Sequence, residues 1–173
     1  MIISVENLKE HIETSLPDEV LEAKLQALEL LIRKHTNNNF QNRGFPFNCP
    51  VMTTKLYLST PLLKVGDTVQ ISESIYSNGI YMIKAVEDGF MELDKQLIDE
   101  SDVLVTKVEY PMDVVFGAVN MMKWDLENRD KVGIQSETIS RHSVTYFNMD
   151  GDNSSMGYPK SLLGFLMPYM KSR

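Results

Sequence analysis

The sequence predicts an α+β protein, a small helical bundle into which a five-stranded, barrel-like β module is inserted. Apolar residues repeat at helical spacing near both ends of the 173-residue chain, whereas the middle third alternates in short β-branched and aromatic runs. Pro50 and Pro111 mark the two joins between these patterns. We therefore expect residues 1–50 and 111–173 to form the helical core, and residues 51–110 to form the inserted module.

Two helices are predicted before the module. Ser4 can cap a short helix that extends to about Ser15. A longer helix begins at Pro17 and stops at the three asparagines of residues 37–39. Its apolar stripe, at spacings of four, three and four residues, consists of Leu21, Leu25, Leu28 and Ile32.

Residues 40–50, FQNRGFPFNCP, are expected to be a turn-rich connector. The connector carries three aromatic side chains, Phe40, Phe45 and Phe47, which an exposed loop seldom does. They either pack over the bundle or contact another subunit. These phenylalanines are our candidates for a subunit interface.

The predicted module contains five short strands, each rich in β-branched or aromatic residues. The segments are TTKLYLS, DTVQISE, GIYMIKAV, GFMELDK and DVLVTKVEY. Glycine-containing turn signals separate them, at Gly66, Gly79 and Gly89. Five strands in about sixty residues are typical of a small barrel or a tightly rolled sheet.

A third helix is predicted from Pro111 to residues 128–130, followed by an extended segment, a polar loop and a last helix that starts at Pro159 and is interrupted by Pro168. The apolar stripe of the third helix is Val115, Ala118, Met122 and Leu126. We expect this stripe to pack against the stripe of the second helix.

Charge and composition narrow the function classes. The net charge of −7 is the wrong sign for a protein that grips phosphates. No apolar run approaches the length of a transmembrane helix, the N-terminus lacks the basic start of a signal peptide, and one cysteine, Cys49, fits a reducing compartment. We expect a soluble intracellular protein. The last eighteen residues contain no acid, which favours contact with an acidic neighbour, although a frayed terminus would have the same composition.

Motifs for catalysis are missing from the sequence. It has no phosphate-binding glycine loop, no GxSxG, no HExxH and no CxxC pair. The spacing of Asn148, Asp150 and Asp152 is similar to a calcium loop, but Asn153 and Pro159 stand where that loop needs glycine and glutamate. We expect no enzyme, no catalytic residue, no cofactor and no metal site.

One stretch resembles a known family. Residues 133–147, GIQSETISRHSVTYF, are followed by a polar loop and by GYPKSLLGFLMPYMKSR. This order resembles the corresponding segment of bacteriophage head–tail connector proteins, also called adaptor or head-completion proteins. In that family the segment likewise precedes a terminal helix with a Tyr-Pro pair, leucines and a final Pro-Tyr. The β insertion departs from shorter family members, which have a loop there.

The resemblance implies a structural virion protein. Such proteins form a closed ring, usually of twelve copies, that docks under the portal protein in the neck between capsid and tail. The ring extends the DNA channel, lets DNA pass without specific binding and presents a surface to the next neck or tail-completion protein. The resemblance also implies that the protein assembles in the host cytoplasm, has no membrane association and has no enzymatic activity.

On this interpretation the C-terminal segment contacts the portal or another partner. The candidate interface residues are Tyr158, Lys160, Leu163, Phe165, Tyr169, Lys171 and Arg173. Residues 157–173 are expected to be mobile in the free protein and to become ordered on the portal. The competing expectation is that Leu162, Leu163 and Leu166 close the core of their own subunit.

Two other functions remain open. One is a small-barrel module with helical flanks that binds peptide or nucleic acid, which would need a basic or aromatic face. The other is a different neck or tail protein, a stopper or a tail terminator, which would share the ring but not the helical frame.

Overall fold

The chain folds into two compact units in a computed structural model. The β unit consists of Met1 and Asn39–Tyr110, and the helical unit consists of Ile2–Asn38 and Pro111–Arg173. The α+β class predicted from the sequence is confirmed. The structure describes residues 1–132, 136–139, 142–145 and 152–172. None of the helices in these ranges combines the length and the apolar character needed to cross a membrane.

The β unit is an antiparallel sheet of six strands. They are β1 (Gln41–Met52), β2 (Lys55–Leu56), β3 (Thr68–Ser72), β4 (Gly79–Glu87), β5 (Phe90–Leu93) and β6 (Glu100–Val108). The strands pair in the order β1-β2-β5-β4-β3-β6, and β6 also pairs with β1. Alternate side chains point to one face, and they bury a common apolar core that includes Val69, Ile71, Ile83, Met91 and Val105.

The prediction of a turn-rich connecting loop at residues 40–50 is wrong. As a result, the β unit has six strands and not the predicted five. Most of this segment is β1, which pairs with β6 along its length. The glycine and prolines that indicated turns lie where the register shifts, between Asn42 and Pro46 and between Cys49 and Val51. Such bulges accept glycine and proline within a strand, so the turn-like composition concealed a strand.

The described residues of the helical unit form three α-helices, short strand pairs and 3₁₀ segments. They are α1 (Val5–Lys9), α2 (Asp18–Thr36), α3 (Met112–Asn128), a 3₁₀ turn (Arg129–Lys131), β7 (Ser136–Ile139), β8 (His142–Thr145), β9 (Ser154–Ser155), β10 (Tyr158–Pro159) and the C-terminal 3₁₀ helix (Lys160–Tyr169).

The helix ends follow local chemistry. The Ser4 side chain accepts a hydrogen bond from the Asn7 amide at 3.2 Å and caps α1, which is shorter than predicted. Asn37 ends α2 in the left-handed conformation (φ 48°), and its N–H bonds to the Arg33 carbonyl oxygen. Asparagine tolerates this conformation better than most residues, which explains the stop.

The predicted stripe of α2 is confirmed, whereas that of α3 is partly wrong. All four predicted α2 residues are buried, and α2 contacts α3. On α3, Val115 and Leu126 are only half-buried. The buried face instead comprises Val114, Gly117, Ala118, Met121, Met122 and Asp125, with Val119 beside it. Gly117 and Asp125 belong to the buried face of α3, but their side chains are not apolar. The apolar pattern in the sequence therefore predicted a face displaced by about one residue from the buried one.

The segment that resembles the connector family is described only in part. β7 and β8 pair antiparallel, from Ser136 opposite Thr145 to Ile139 opposite His142, so these residues have the predicted extended conformation. The other positions of residues 133–147 lie outside the described residues, as do Asn148 and Asp150 of the rejected calcium loop.

Two neighbouring leucines of α2 test the burial pattern. Leu28 is 3% exposed and Leu30 is 55% exposed. We predict that Leu28→Ala lowers the free energy of unfolding by about 3 kcal/mol, because it leaves a cavity in the core. The matched variant Leu30→Ala should change it by less than about 0.5 kcal/mol. Urea denaturation measures both, and equal losses would contradict the assigned helix face.

Candidate functional site

The C-terminal segment is the candidate site, because most residues predicted to contact a partner lie in it. It begins with a small hairpin in which Tyr158 of β10 pairs with Ser155 of β9. Met156 and Gly157 form the turn at φ 56° and 76°. A two-residue hairpin turn needs such left-handed values, and glycine adopts them without strain. Pro159 then precedes the C-terminal 3₁₀ helix, where a missing N–H removes no helical hydrogen bond.

Tyr158 anchors the start of the segment in the helical unit. Its buried ring packs against Trp124 of α3, with ring centroids 5.4 Å apart. The Arg129 guanidinium lies 4.8 Å from the Tyr158 ring centroid and 5.3 Å from that of Trp124. A cation close to two aromatic faces is attracted to both, which fixes the arginine beside the hairpin.

Asp125 is the electrostatic centre of this cluster. Its carboxylate accepts hydrogen bonds from Lys24 Nζ of α2 at 2.8 Å and from Arg129 Nε at 2.5 Å, and Arg129 Nη2 forms an ion pair with it. The Tyr158 hydroxyl donates a longer bond at 3.4 Å. Burial raises the pKa of Asp125, but the hydrogen bonds and charges of Lys24 and Arg129 outweigh burial and hold it below its usual value. The charged carboxylate therefore links α2, α3 and the C-terminal hairpin.

The cluster is suited to structure rather than to chemistry. Asp125 is already bound by two cations, so its oxygens are not free for a metal ion. Burial raises the pKa of Tyr158, and the Asp125 charge raises it further, so its hydroxyl stays protonated at neutral pH. In the β unit, burial and then Asp102 raise the pKa of Cys49 to about 11, which makes a poor nucleophile.

The middle of the segment packs closely against α3. Leu163 and Leu166 are buried. A Cβ atom added at Gly117 of α3 would lie 2.4 Å from the Phe165 ring. Because no real Cβ makes so short a contact, only glycine at this position lets the aromatic ring approach the helix backbone.

The far end of the segment is tied to the end of α2 and the start of α3. The Asn38 side-chain amide donates to the Tyr169 carbonyl oxygen at 3.2 Å, and the Lys171 N–H donates to the Thr36 carbonyl oxygen at 2.8 Å. The Tyr169 hydroxyl donates to the Asp113 carboxylate at 2.8 Å, and this bond raises the pKa of Tyr169. The segment is therefore held to its own unit at both ends.

These contacts separate the described residues of the predicted partner interface into three groups. Tyr158 and Leu163 are buried in their own unit. Of the three leucines expected to close the core, Leu163 and Leu166 are buried and Leu162 is half-buried. Phe165 and Tyr169 are half-buried on α3. Lys160 and Lys171 are exposed. Arg173 lies outside the described residues.

The three phenylalanines of the predicted subunit interface differ in exposure. Phe40 is buried, and its ring lies 4.8 Å from that of Tyr110, centroid to centroid. Phe47 packs against the core of the β unit. Phe45 is exposed and is the one of the three available for contact with another molecule.

Sequence reasoning missed the contacts that fix the segment. Asp125 and Arg129 are four residues apart, a spacing that favours an ion pair on one helix face, but the same signal occurs on many solvated helices. The role of Gly117 had no local signal, because its partner, Phe165, is distant in sequence.

No protein-family model and no curated protein matches this chain.

The Asp125 cluster predicts a pH-dependent stability. Its depressed pKa means that the charge contributes stability above the usual carboxyl pKa of about 4, and that this contribution is lost as the pH falls through the folded pKa. Asp125→Asn should lower the free energy of unfolding by about 2 kcal/mol at pH 7 and by progressively less below about pH 4. Urea denaturation across this range measures the difference. The exposed Asp130→Asn is the control, and a loss for Asp125→Asn that does not vary with pH would contradict the assignment.

The contact between Gly117 and Phe165 predicts a non-additive pair of substitutions. In most helices Gly→Ala stabilises by about 1 kcal/mol, but here the methyl group meets the ring, and overpacking costs about 1–3 kcal/mol. Gly117→Ala should therefore destabilise the wild type and stabilise Phe165→Ala. Thermal unfolding of the four proteins in this cycle measures the coupling, and additive effects would show that the two residues do not touch.

Proposed function

We propose that this protein is a bacteriophage head–tail connector, a structural protein that forms a ring under the portal and joins the capsid to the tail. The observation that carries the proposal is the order of residues 133–147, a polar loop and a terminal Tyr158-Pro159 segment that ends in Pro168-Tyr169, which resembles that family. The residues of the terminal part that carry the resemblance have a physical role in this chain. Tyr158, Leu163, Leu166 and Tyr169 make the contacts to the helical unit.

The portal contact is then proposed for the exposed residues between these anchors and directly after the last of them. Lys160, Met167, Met170 and Lys171 are exposed, and residues 156–172 contain no carboxylate side chain. Lys160 and Met167 lie on the 3₁₀ helix and Met170 and Lys171 directly follow it. A segment that is bonded to its own unit at both ends presents these side chains at little cost in conformational entropy. An acidic portal surface with apolar patches would complement them.

The charge of the chain supports a channel role. A net charge of −7 per copy repels the phosphate backbone, so a ring of such copies can let DNA pass without binding it. A head-to-tail interface that closes on itself produces a ring. The next neck or tail-completion protein would bind the other side of that ring.

We also propose that the sheet of the β unit is curved into a small barrel-like module. The support is the pairing of β1 with β6, the two strands at the ends of the pairing order.

As a nucleic-acid-binding module, however, this unit would need a basic face, and residues 39–110 hold six Lys and Arg against ten Asp and Glu. Its composition therefore favours a structural role over the alternative of a nucleic-acid-binding module.

A binding experiment with the portal protein from the same genome tests the proposal. Native mass spectrometry and negative-stain microscopy should show rings of this protein on the portal. The double variant Lys160→Glu/Lys171→Glu should weaken binding by at least about tenfold, because two attractive contacts become repulsive. Lys64→Glu/Lys84→Glu, with the same change of charge on exposed lysines of the β unit, is the matched control.

The result that would overturn the proposal is a protein that binds no portal in this experiment. A monomer that binds oligonucleotides would favour the small-barrel module. Rings that bind a tail-tube end but no portal would favour a stopper or a tail terminator.

A further inference from the structure

One end of the β unit is formed by three segments, which we call the loop end: residues 52–54, 73–78 and 94–100. They follow β1, β3 and β5, and hydrogen bonds join them. The Leu97 N–H donates to the Thr53 carbonyl oxygen at 2.5 Å, and the Thr53 N–H donates to Asp99 Oδ1 at 2.7 Å. The Ile98 N–H donates to Ser77 Oγ at 3.1 Å. The three segments therefore form a single connected surface.

The segment of residues 73–78 is held in one conformation by the carboxylate of Glu100. Glu100 accepts hydrogen bonds from Ser74 Oγ at 2.5 Å, from the Ile75 N–H at 2.8 Å and from the Tyr76 N–H at 3.4 Å. The Ser77 N–H donates to Ser74 Oγ at 2.5 Å. A loop with so many internal bonds loses little entropy when it binds a partner.

This rigid loop exposes large apolar side chains. Ile75 is 78% exposed and Tyr76 is 70% exposed, and Ile98 and Met52 are also exposed nearby. Nothing in the fold of the β unit requires apolar residues at these positions. An apolar cluster with a central tyrosine on a fixed loop is typical of the anchor residues of protein interfaces.

The charge around the cluster specifies the chemistry of its partner. Residues 52–54, 73–78 and 94–100 contain four acids, Glu73, Asp94, Asp99 and Glu100, and one base, Lys95. The complementary surface is therefore apolar, carries positive charge and lacks exposed carboxylates.

Beyond its acidic residues Asp18, Glu19 and Glu22, the outer face of α2 has this composition. Its exposed residues at spacings of four, three and four form a stripe opposite the buried one, which we call the outer stripe: Ala23, Ala27, Leu30 and Lys34. Within residues 23–37, all of them described, Glu29 is the one carboxylate, and it is buried in an ion pair with Arg33. The two alanines leave room for side chains of a partner, and Lys34 supplies the cation.

We propose that the loop end of one copy packs on the outer stripe of a second copy. The two surfaces are complementary in charge and both apolar, whereas two loop ends would repel each other. When two copies are joined in this way, one loop end and one outer stripe remain free on the pair. Further copies can therefore add head to tail. The assembly closes into a ring when the rotation between neighbouring copies allows it. The inference deepens the proposed function and rests on it for ring closure, while the contact can be tested without a phage.

Chemical cross-linking between two differently substituted proteins tests the contact. Leu30→Cys protein is mixed with Tyr76→Cys protein and treated with a short bismaleimide. Both positions are exposed, so neither substitution should disturb the fold. The native Cys49 is buried and reacts slowly, and the wild-type protein controls for it. We expect a mixed dimer at several times the yield obtained when Val86→Cys, an exposed site near the β4–β5 turn, replaces Tyr76→Cys.

A charge swap provides the second measurement. Glu73→Lys and Lys34→Glu should each reduce the yield of mixed dimer several-fold, and the two changes placed on opposite partners should restore it. A yield equal to that of the Val86→Cys control overturns the proposal. A predominance of dimers between two Tyr76→Cys chains overturns it as well, because it indicates a symmetric contact.

The outcomes separate this inference from the proposed function. Specific cross-linking with no binding to the portal leaves the contact standing and removes the connector role. Portal-bound rings whose cross-linking equals the control leave the connector role standing, and the loop end would then be assigned to the portal or to the next neck protein.

Discussion

The buried carboxylate of Asp125 organises the helical unit. Asp125 is tied to Lys24 on α2 and to Arg129 at the end of α3, and Arg129 in turn lies against the ring of Tyr158. An unpaired buried charge is costly, so each of these partners is needed once the carboxylate is placed there. The C-terminal hairpin is thereby held by electrostatic contacts as well as by the apolar burial of Leu163 and Leu166.

This arrangement divides the C-terminal segment into residues that hold it and residues that it presents. Tyr158, Phe165 and Tyr169 face their own unit, although aromatic residues in a basic tail first indicated a docking peptide. The side chains of Lys160 and Lys171 are exposed, and we propose that they contact the portal. A surface that is fixed in place before binding favours affinity over adaptability.

The regular elements could be predicted from the sequence, because their signal is local. The stripe of α2 and five of the six strands follow from periodicity and turn residues. The sixth strand was missed because the Gly44 and Pro46 that suggested a turn lie at a bulge. The buried face of α3 was misplaced because Gly117 and Asp125 depend on partners, Phe165 and Lys24, that are distant in the sequence.

The central claim is that residues 158–169 belong to the core of the helical unit in the free protein. Amide hydrogen exchange, read out residue by residue on the isolated chain, tests it most directly. The account predicts that the Leu163, Leu166 and Lys171 amides exchange about as slowly as those in the middle of α3. Exchange of these amides at the rate of an unfolded peptide, with α3 still protected, would show a mobile tail and contradict the claim.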